Sequence, residues 1–186
     1  MIESKIEFTE ILTDRLRLRA LQPKDAHEMQ AYRALPEVFQ YQGCGAKSLN
    51  EVQAFIAGMA NVDLSKPGWN QVGIELVNDG SLIGDCGIHI LDDTRIAEFG
   101  ITLDPKHHSK GYATEAVKAV IELLFSKYEK HRVFASVDPR NAPSLALMER
   151  LGMRKEGHFI ESLWLNDTWV DDVIFAVLEN EWKVPF

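Results

Sequence analysis

The sequence predicts a mixed α/β domain in which about four helices pack on a sheet of about seven strands. Three observations predict it. Glu98 to Ala119 reads as a strand, a proline-marked loop and then a helix that begins at a glycine. Two turn signals, Asn78-Asp79-Gly80 and Asn166-Asp167, each join runs rich in β-formers, which calls for antiparallel hairpins. A pair of helical patterns and these hairpins interrupt any regular strand–helix alternation, which argues against a doubly wound dinucleotide fold.

The elements follow in order. Ile11 to Ala20 alternates apolar Leu12, Leu16 and Leu18 with polar Arg15, Arg17 and Arg19, the pattern of a half-buried first strand. Lys24 to Leu35 reads as a helix behind Pro23, with Ala26, Met29, Gln30 and Arg33 at helical spacing. Ser48-Leu49-Asn50-Glu51 is a capping box that starts a second helix, whose apolar stripe is Val52, Phe55, Ile56 and Met59. Asn70 to Asn78 and Ser81 to Leu91 form the first hairpin. Glu98 to Leu103 is a strand ended by Asp104-Pro105, because proline cannot continue a central ladder. From Gly111 onward Ala113, Ala116, Val117, Val120, Leu123 and Leu124 share one helical face, with Lys118, Glu122 and Lys127 opposite. Val133 to Val137 is a strand. Asn141 then caps a helix with Pro143 in its first turn and Gly152 past its end. Arg154 to Leu165 and Thr168 to Leu178 close the chain as a second hairpin.

With 186 residues, 46% of them hydrophobic, the chain is long enough for one well-buried domain and short for two, so residues 1–186 read as a single domain. No linker, low-complexity tract or internal repeat divides it. Met1 to Glu10 lacks the apolar core of a signal peptide, and no apolar run approaches a membrane span. Two cysteines, Cys44 and Cys86, make no disulfide framework and read as free thiols of a cytoplasmic protein. The 28 acidic residues against 20 basic ones give a net charge of −8, which opposes a duplex nucleic-acid partner. The same charge suits a cationic partner such as an amine through field focusing, and it also serves plain solubility.

The chemistry concentrates at Ser109-Lys110-Gly111-Tyr112-Ala113-Thr114. Amide groups in the first turn of a helix have no intrahelical acceptors, and the helix dipole adds partial positive charge, so the segment suits a phosphate or pyrophosphate. Gly111 and Ala113 let such a group approach the backbone. A second reading is open for Gly111, a simple turn residue with nothing bound. Adjacent His107 and His108 cannot readily chelate one ion, and no Cys or carboxylate spacing completes a set, so no metal is expected. No Gly-x-x-x-x-Gly-Lys-Ser/Thr run marks an ATP-type loop.

His108-Ser109-Lys110-Gly111-Tyr112-Ala113 resembles motif A of the GNAT superfamily of N-acetyltransferases, Gln/Arg-x-x-Gly-x-Gly/Ala, with His108 departing from the usual Gln or Arg. Leu12 to Arg19 with Asp25-Ala26 resembles the opening of that superfamily's Rim-type branch. Asn141-Ala142-Pro143-Ser144 through Leu151-Gly152-Met153 is similar to motif B, and Asp172 to Leu178 with Glu181-Trp182 to the branch's closing strand.

The resemblance implies acetyl-coenzyme A as cosubstrate, its pyrophosphate held by His108, Ser109, Lys110, Gly111, Tyr112, Ala113 and Thr114. It also implies that the strands beginning at Glu98 and Val133 splay apart, so that pantetheine pairs with the backbone of Ile101, Thr102 and Leu103. Glu98 becomes the candidate general base, acting directly or through water, against the alternative of a solvated residue at the sheet edge. Ser144 becomes the candidate partner of the departing thiolate, since no tyrosine follows in that turn, against the alternative that it only caps its helix. Asn141 is open to the same capping role and to an amide bond with pantetheine. The implied acceptor is a protein or peptide N-terminus, with a small amine as the rival. A binding module without transferase activity is a third possibility. Tyr41 and Trp69 lie where the family places its substrate loops, and a homodimer is left open.

Overall fold

A computed structural model describes residues 8–42 and 47–182; Cys44 lies outside the described residues. Among the described residues eight strands form one sheet in the order β1-β2-β3-β4-β5-β6-β8-β7. They are β1 (Ile11–Leu12), β2 (Leu16–Ala20), β3 (Gly68–Leu76), β4 (Leu82–Ile90), β5 (Ile96–Leu103), β6 (Arg132–Val137), β7 (Arg154–Leu165) and β8 (Thr168–Leu178). The helices are α1 (Ala26–Arg33), α2 (Pro36–Phe39), α3 (Leu49–Gly58), α4 (Tyr112–Ser126) and α5 (Ala142–Arg150). Every neighbouring pair is antiparallel except β5 and β6, which run parallel.

Two expectations are corrected. The single strand expected over residues 11–20 is two strands, because the chain reverses at Thr13, whose N–H donates to the Leu16 carbonyl at 2.9 Å. Leu12 is left exposed, whereas Arg19 is buried between Asp25 and Glu75, with donor–acceptor distances of 2.7 to 2.9 Å. A fifth helix among the described residues, α2, begins at Pro36; four residues are too few for a periodic pattern to announce it.

The other elements stand near their expected places. The second hairpin turns at Asn166 and Asp167, both with positive φ (48° and 59°), the backbone a two-residue hairpin turn requires. Ser48 and Glu51 cap α3 reciprocally. Gly152 follows α5 at φ 69°.

The core lies on both faces of the sheet. Val72 and Ile74 of β3, Cys86 and Ile88 of β4, Ala97 and Phe99 of β5 and Val133 and Ala135 of β6 pack with Ala116, Val117, Val120 and Leu124 of α4. A smaller cluster joins Ala26, Met29 and Tyr32 of α1 to Val52 and Ile56 of α3 over Leu21 and Leu82. β3 and β4 are therefore covered on both sides and read as nearly continuous buried runs.

Candidate active site

β5 and β6 are paired only over Ile96–Arg132, Ala97–Val133 and Glu98–Phe134. Beyond Glu98, β5 keeps its ladder to β4 as far as Leu103, while β6 keeps its ladder to β8 as far as Val137. The sheet thus opens in a wedge toward the carboxyl ends of its one parallel pair. That is the place where open α/β sheets take ligands. The N-termini of α4 and α5, each reached from one of the two strands, flank the wedge.

On the β5 side, Asp104 ends the strand and accepts a hydrogen bond from the Lys106 N–H at 3.0 Å. The loop then passes Ser109 at φ 59° and Gly111 at φ 82° before α4 begins. Gly111 is the N-cap and contributes no side-chain bond, so the first-turn amides of α4 keep their open direction. His108 is used within the loop: its Nε2 lies 3.1 Å from the Leu103 carbonyl, and its N–H donates to Pro105. Lys110 donates from Nζ to the Lys106 carbonyl. From α5, Arg150 reaches Thr114 Oγ1 at 3.4 Å.

On the β6 side, Asn141 caps α5, its Oδ1 accepting from the Ser144 N–H at 3.2 Å. Both residues also line a cavity of about 270 Å³ in the wedge. Among the described residues the Ser144 hydroxyl has no hydrogen-bond partner. Across the wedge, Ile101 and Thr102 line the same cavity, Leu103 packs into the core, and Thr102 Oγ1 accepts from Gln42 Nε2 at 2.8 Å. Beyond the Glu98–Phe134 pair, and among the described residues, β5 has no strand partner on its β6 side, so its backbone there can pair with an extended chain.

Glu98 stands at the apex. Its carboxylate is 3.4 Å from His89 Nδ1 and about a quarter accessible (23%). The His89 ring in turn stacks on Trp69 with centroids 4.6 Å apart. Trp69, His89 and Glu98 are directly cross-strand from one another, so their side chains form one row on the face opposite α4. The next row is Gln71, Gly87 and Gly100, and the two glycines leave a groove in which Trp69 forms part of the cavity wall.

The cavity floor holds residues that sequence reasoning missed. Asp85 is buried and accepts hydrogen bonds from the Tyr32 hydroxyl at 2.5 Å, from Arg33 Nε at 3.0 Å, and from Arg33 Nη2 and Gln71 Nε2. Burial, with the Asp85 carboxylate beside it, pushes the Tyr32 phenol well above its ordinary value. The available signal was a carboxylate inside the apolar run Leu82-Ile83-Gly84-Asp85-Cys86, since a buried acid needs partners. Asp138 forms another part of the wall; the Arg140 hydrogen bond holds its carboxyl below the ordinary carboxylate value, and the Tyr41 hydroxyl donates to the Arg140 carbonyl. Cys86 is fully buried and burial pushes its thiol up, which leaves it unsuited to nucleophilic work. Among the described residues no group of His, Cys, Asp or Glu is arranged to hold a metal, and no helix is long and apolar enough to cross a membrane.

Residues 15–154 match the family model described as Acetyltransferase (GNAT) domain. The "Uncharacterized N-acetyltransferase YnaD" of Bacillus subtilis is 30% identical over 173 residues, 93% of this chain and 99% of that protein. A GNAT-family acetyltransferase from Bacillus anthracis superimposes with a TM-score of 0.84 at 28% identity, covering 93% of this chain and all of that one. A spermidine N-acetyltransferase from Vibrio cholerae, crystallised with CoA and spermine, shares the fold at 22% identity, with a TM-score of 0.78 over 91% of this chain and 99% of that one.

Proposed function

Given that the chain belongs to the GNAT family of acetyltransferases and is an acyltransferase, we propose that it moves an acetyl group from acetyl-coenzyme A to a primary amine, with a protein or peptide N-terminal α-amine as acceptor. The observation that carries the reading is the wedge between β5 and β6, which has the first-turn amides of α4 on one flank and Ser144 of α5 on the other.

In this reading the amides of Ser109 to Thr114 hold the pyrophosphate, and the open backbone of Ile101 to Leu103 aligns the pantetheine arm, to which the Asn141 amide adds a bond. The amine enters from the face that carries Trp69, Asp85 and Asp138. As its nitrogen bonds to the thioester carbonyl and the C–S bond breaks, Glu98 takes the ammonium proton directly or through water. The Ser144 hydroxyl donates to the sulfur as charge develops there. The resemblance of Leu12 to Arg19 and Asp172 to Trp182 to the Rim-type branch supports the N-terminal acceptor. A small polyamine is the second reading, favoured by the modest cavity volume, about 270 Å³, and by the spermine carried by the Vibrio cholerae structure.

Release of free thiol from acetyl-coenzyme A, measured against peptides with free or blocked α-amines and against polyamines, tests the reading. Release with free peptides and none with blocked ones is expected. Higher kcat/KM for polyamines would transfer the assignment to the second reading. Coenzyme binding without thiol release for any amine would make the protein a binding module.

A further inference from the structure

The first turns of α4 carry an acid just where an anion is expected to bind. Glu115 follows the N-cap Gly111 by one helical turn, and its N–H donates to the Gly111 carbonyl at 3.1 Å. A free carboxylate there would oppose a pyrophosphate that the helix terminus attracts.

That carboxylate is occupied from the β1–β2 turn, far away in sequence. Its Oε1 accepts from the Thr13 hydroxyl at 2.6 Å and the Arg15 backbone N–H at 3.1 Å. Its Oε2 accepts from Arg15 Nε at 2.7 Å and lies 2.5 Å from Nη2. Burial would raise the Glu115 pKa, but the Thr13 and Arg15 hydrogen bonds outweigh it and hold the group below the ordinary carboxylate value, so it is ionised. The same guanidinium donates Nη1 to the Lys110 carbonyl at 3.0 Å and lies over the Tyr112 ring, 4.6 Å from its centroid. A Cβ placed on Gly111 would meet Arg15 Nη2 at 3.4 Å. One side chain therefore engages Lys110, Tyr112 and Glu115 and borders Gly111.

We infer that Arg15 is a positioning residue for the coenzyme's phosphates: by neutralising Glu115 and holding the Lys110 carbonyl, it keeps the N-terminus of α4 receptive to an anion. The inference rests on the donor assignment proposed above. It differs from a mere tether in one respect. If Arg15 acts by cancelling the Glu115 charge, removing that charge makes Arg15 largely dispensable, whereas a tether stays lost.

Calorimetric titration of coenzyme A into the full chain reads this directly. Arg15→Ala should weaken Kd by about tenfold, the scale of one charge-assisted contact. Arg15→Lys keeps the charge but loses the fork, and should fall between the two. The double variant Arg15→Ala/Glu115→Gln should return to within about threefold of the wild type, the recovery expected for charges that act as a coupled pair. The loss should appear in the coenzyme's KM more than in turnover at saturation. Should Arg15→Ala fail to fold, Arg15→Gln, which removes the charge but keeps a long polar side chain, gives the same comparison with and without Glu115→Gln. Wild-type affinity in the folded single variant, or a double variant no tighter than the single, overturns the inference. A wild-type chain that does not bind coenzyme A overturns the donor assignment itself and this inference with it.

Discussion

Replacing Gly111 with aspartate places a new carboxylate at the mouth of the proposed phosphate site. Two effects must be separated. The residue sits at φ 82°, so any side chain is strained there, by about 1–2 kcal/mol, and that cost falls on free and bound protein alike. The charge acts on binding alone. At a separation of about 5 Å and an effective dielectric of about 40, one negative pair costs about 1.7 kcal/mol, and a pyrophosphate presents about two charges. Arg15 Nη2 borders the same position and offsets part of this. A net loss of about 1.5–2 kcal/mol is expected, a weakening of Kd by about 10–30-fold. Gly111→Ala carries the strain and a methyl group without the charge, so it is the control and should lose no more than about fivefold. Titration calorimetry with coenzyme A on both folded variants reads the difference, which should shrink in about 0.5 M salt as the Debye length contracts. Equal affinities for the two variants at low salt would move the phosphate site away from this loop.

Ser144→Ala should lower turnover more than it changes coenzyme affinity, since its bond to sulfur strengthens as charge develops; a change confined to the coenzyme's KM would mark Ser144 as a binding or capping residue. Glu98→Gln should reduce turnover at neutral pH by roughly 10²–10⁴-fold, with the deficit narrowing as pH rises and free amine forms in bulk; superimposable pH–rate profiles with similar turnover would take Glu98 out of the mechanism. Asp85→Ala leaves Tyr32, Arg33 and Gln71 without their common acceptor and should destabilise the fold by about 3–5 kcal/mol in urea titration, and a loss below about 1 kcal/mol would show the network to be dispensable. Glu156 is held down to about 2 by the Arg132 hydrogen bond, which outweighs burial, with Arg154 adding to it. Its folded pKa lies below the ordinary 4.5, so its contribution is complete above that value and fades as pH falls toward 2; Glu156→Gln should flatten the stability curve across that window and leave its neutral region alike in slope.

What could be read from the chain alone was whatever a short stretch determines by itself. The α4 stripe, the Ser48–Glu51 box and the Asn141 cap follow from neighbours within a turn of helix, and the Asn166-Asp167 turn needs only two residues able to hold positive φ. The donor loop belongs to the same class, because its proposed ligands are backbone amides and a glycine announces their geometry. Side-chain assignments were harder, since each depends on what the fold brings alongside. Arg19 looks like the polar face of a strand until Asp25 and Glu75 close around it. Asp85 is a lone acid until Tyr32, Arg33 and Gln71 converge on it from α1 and β3.

The break between β1 and β2 shows both levels at once. Leu12 to Arg19 alternates apolar Leu12, Leu16 and Leu18 with polar residues, and only Asp14, polar where the pattern wants an apolar residue, marks the place of the reversal. Yet Thr13 and Arg15 both turn to Glu115, about a hundred residues later. A continuous strand would place these two side chains on one face with their donors spread along it. The turn instead gathers a hydroxyl, an amide and a guanidinium onto one carboxylate. The feature that defeats the strand pattern is therefore the one that joins the chain's beginning to its proposed phosphate loop.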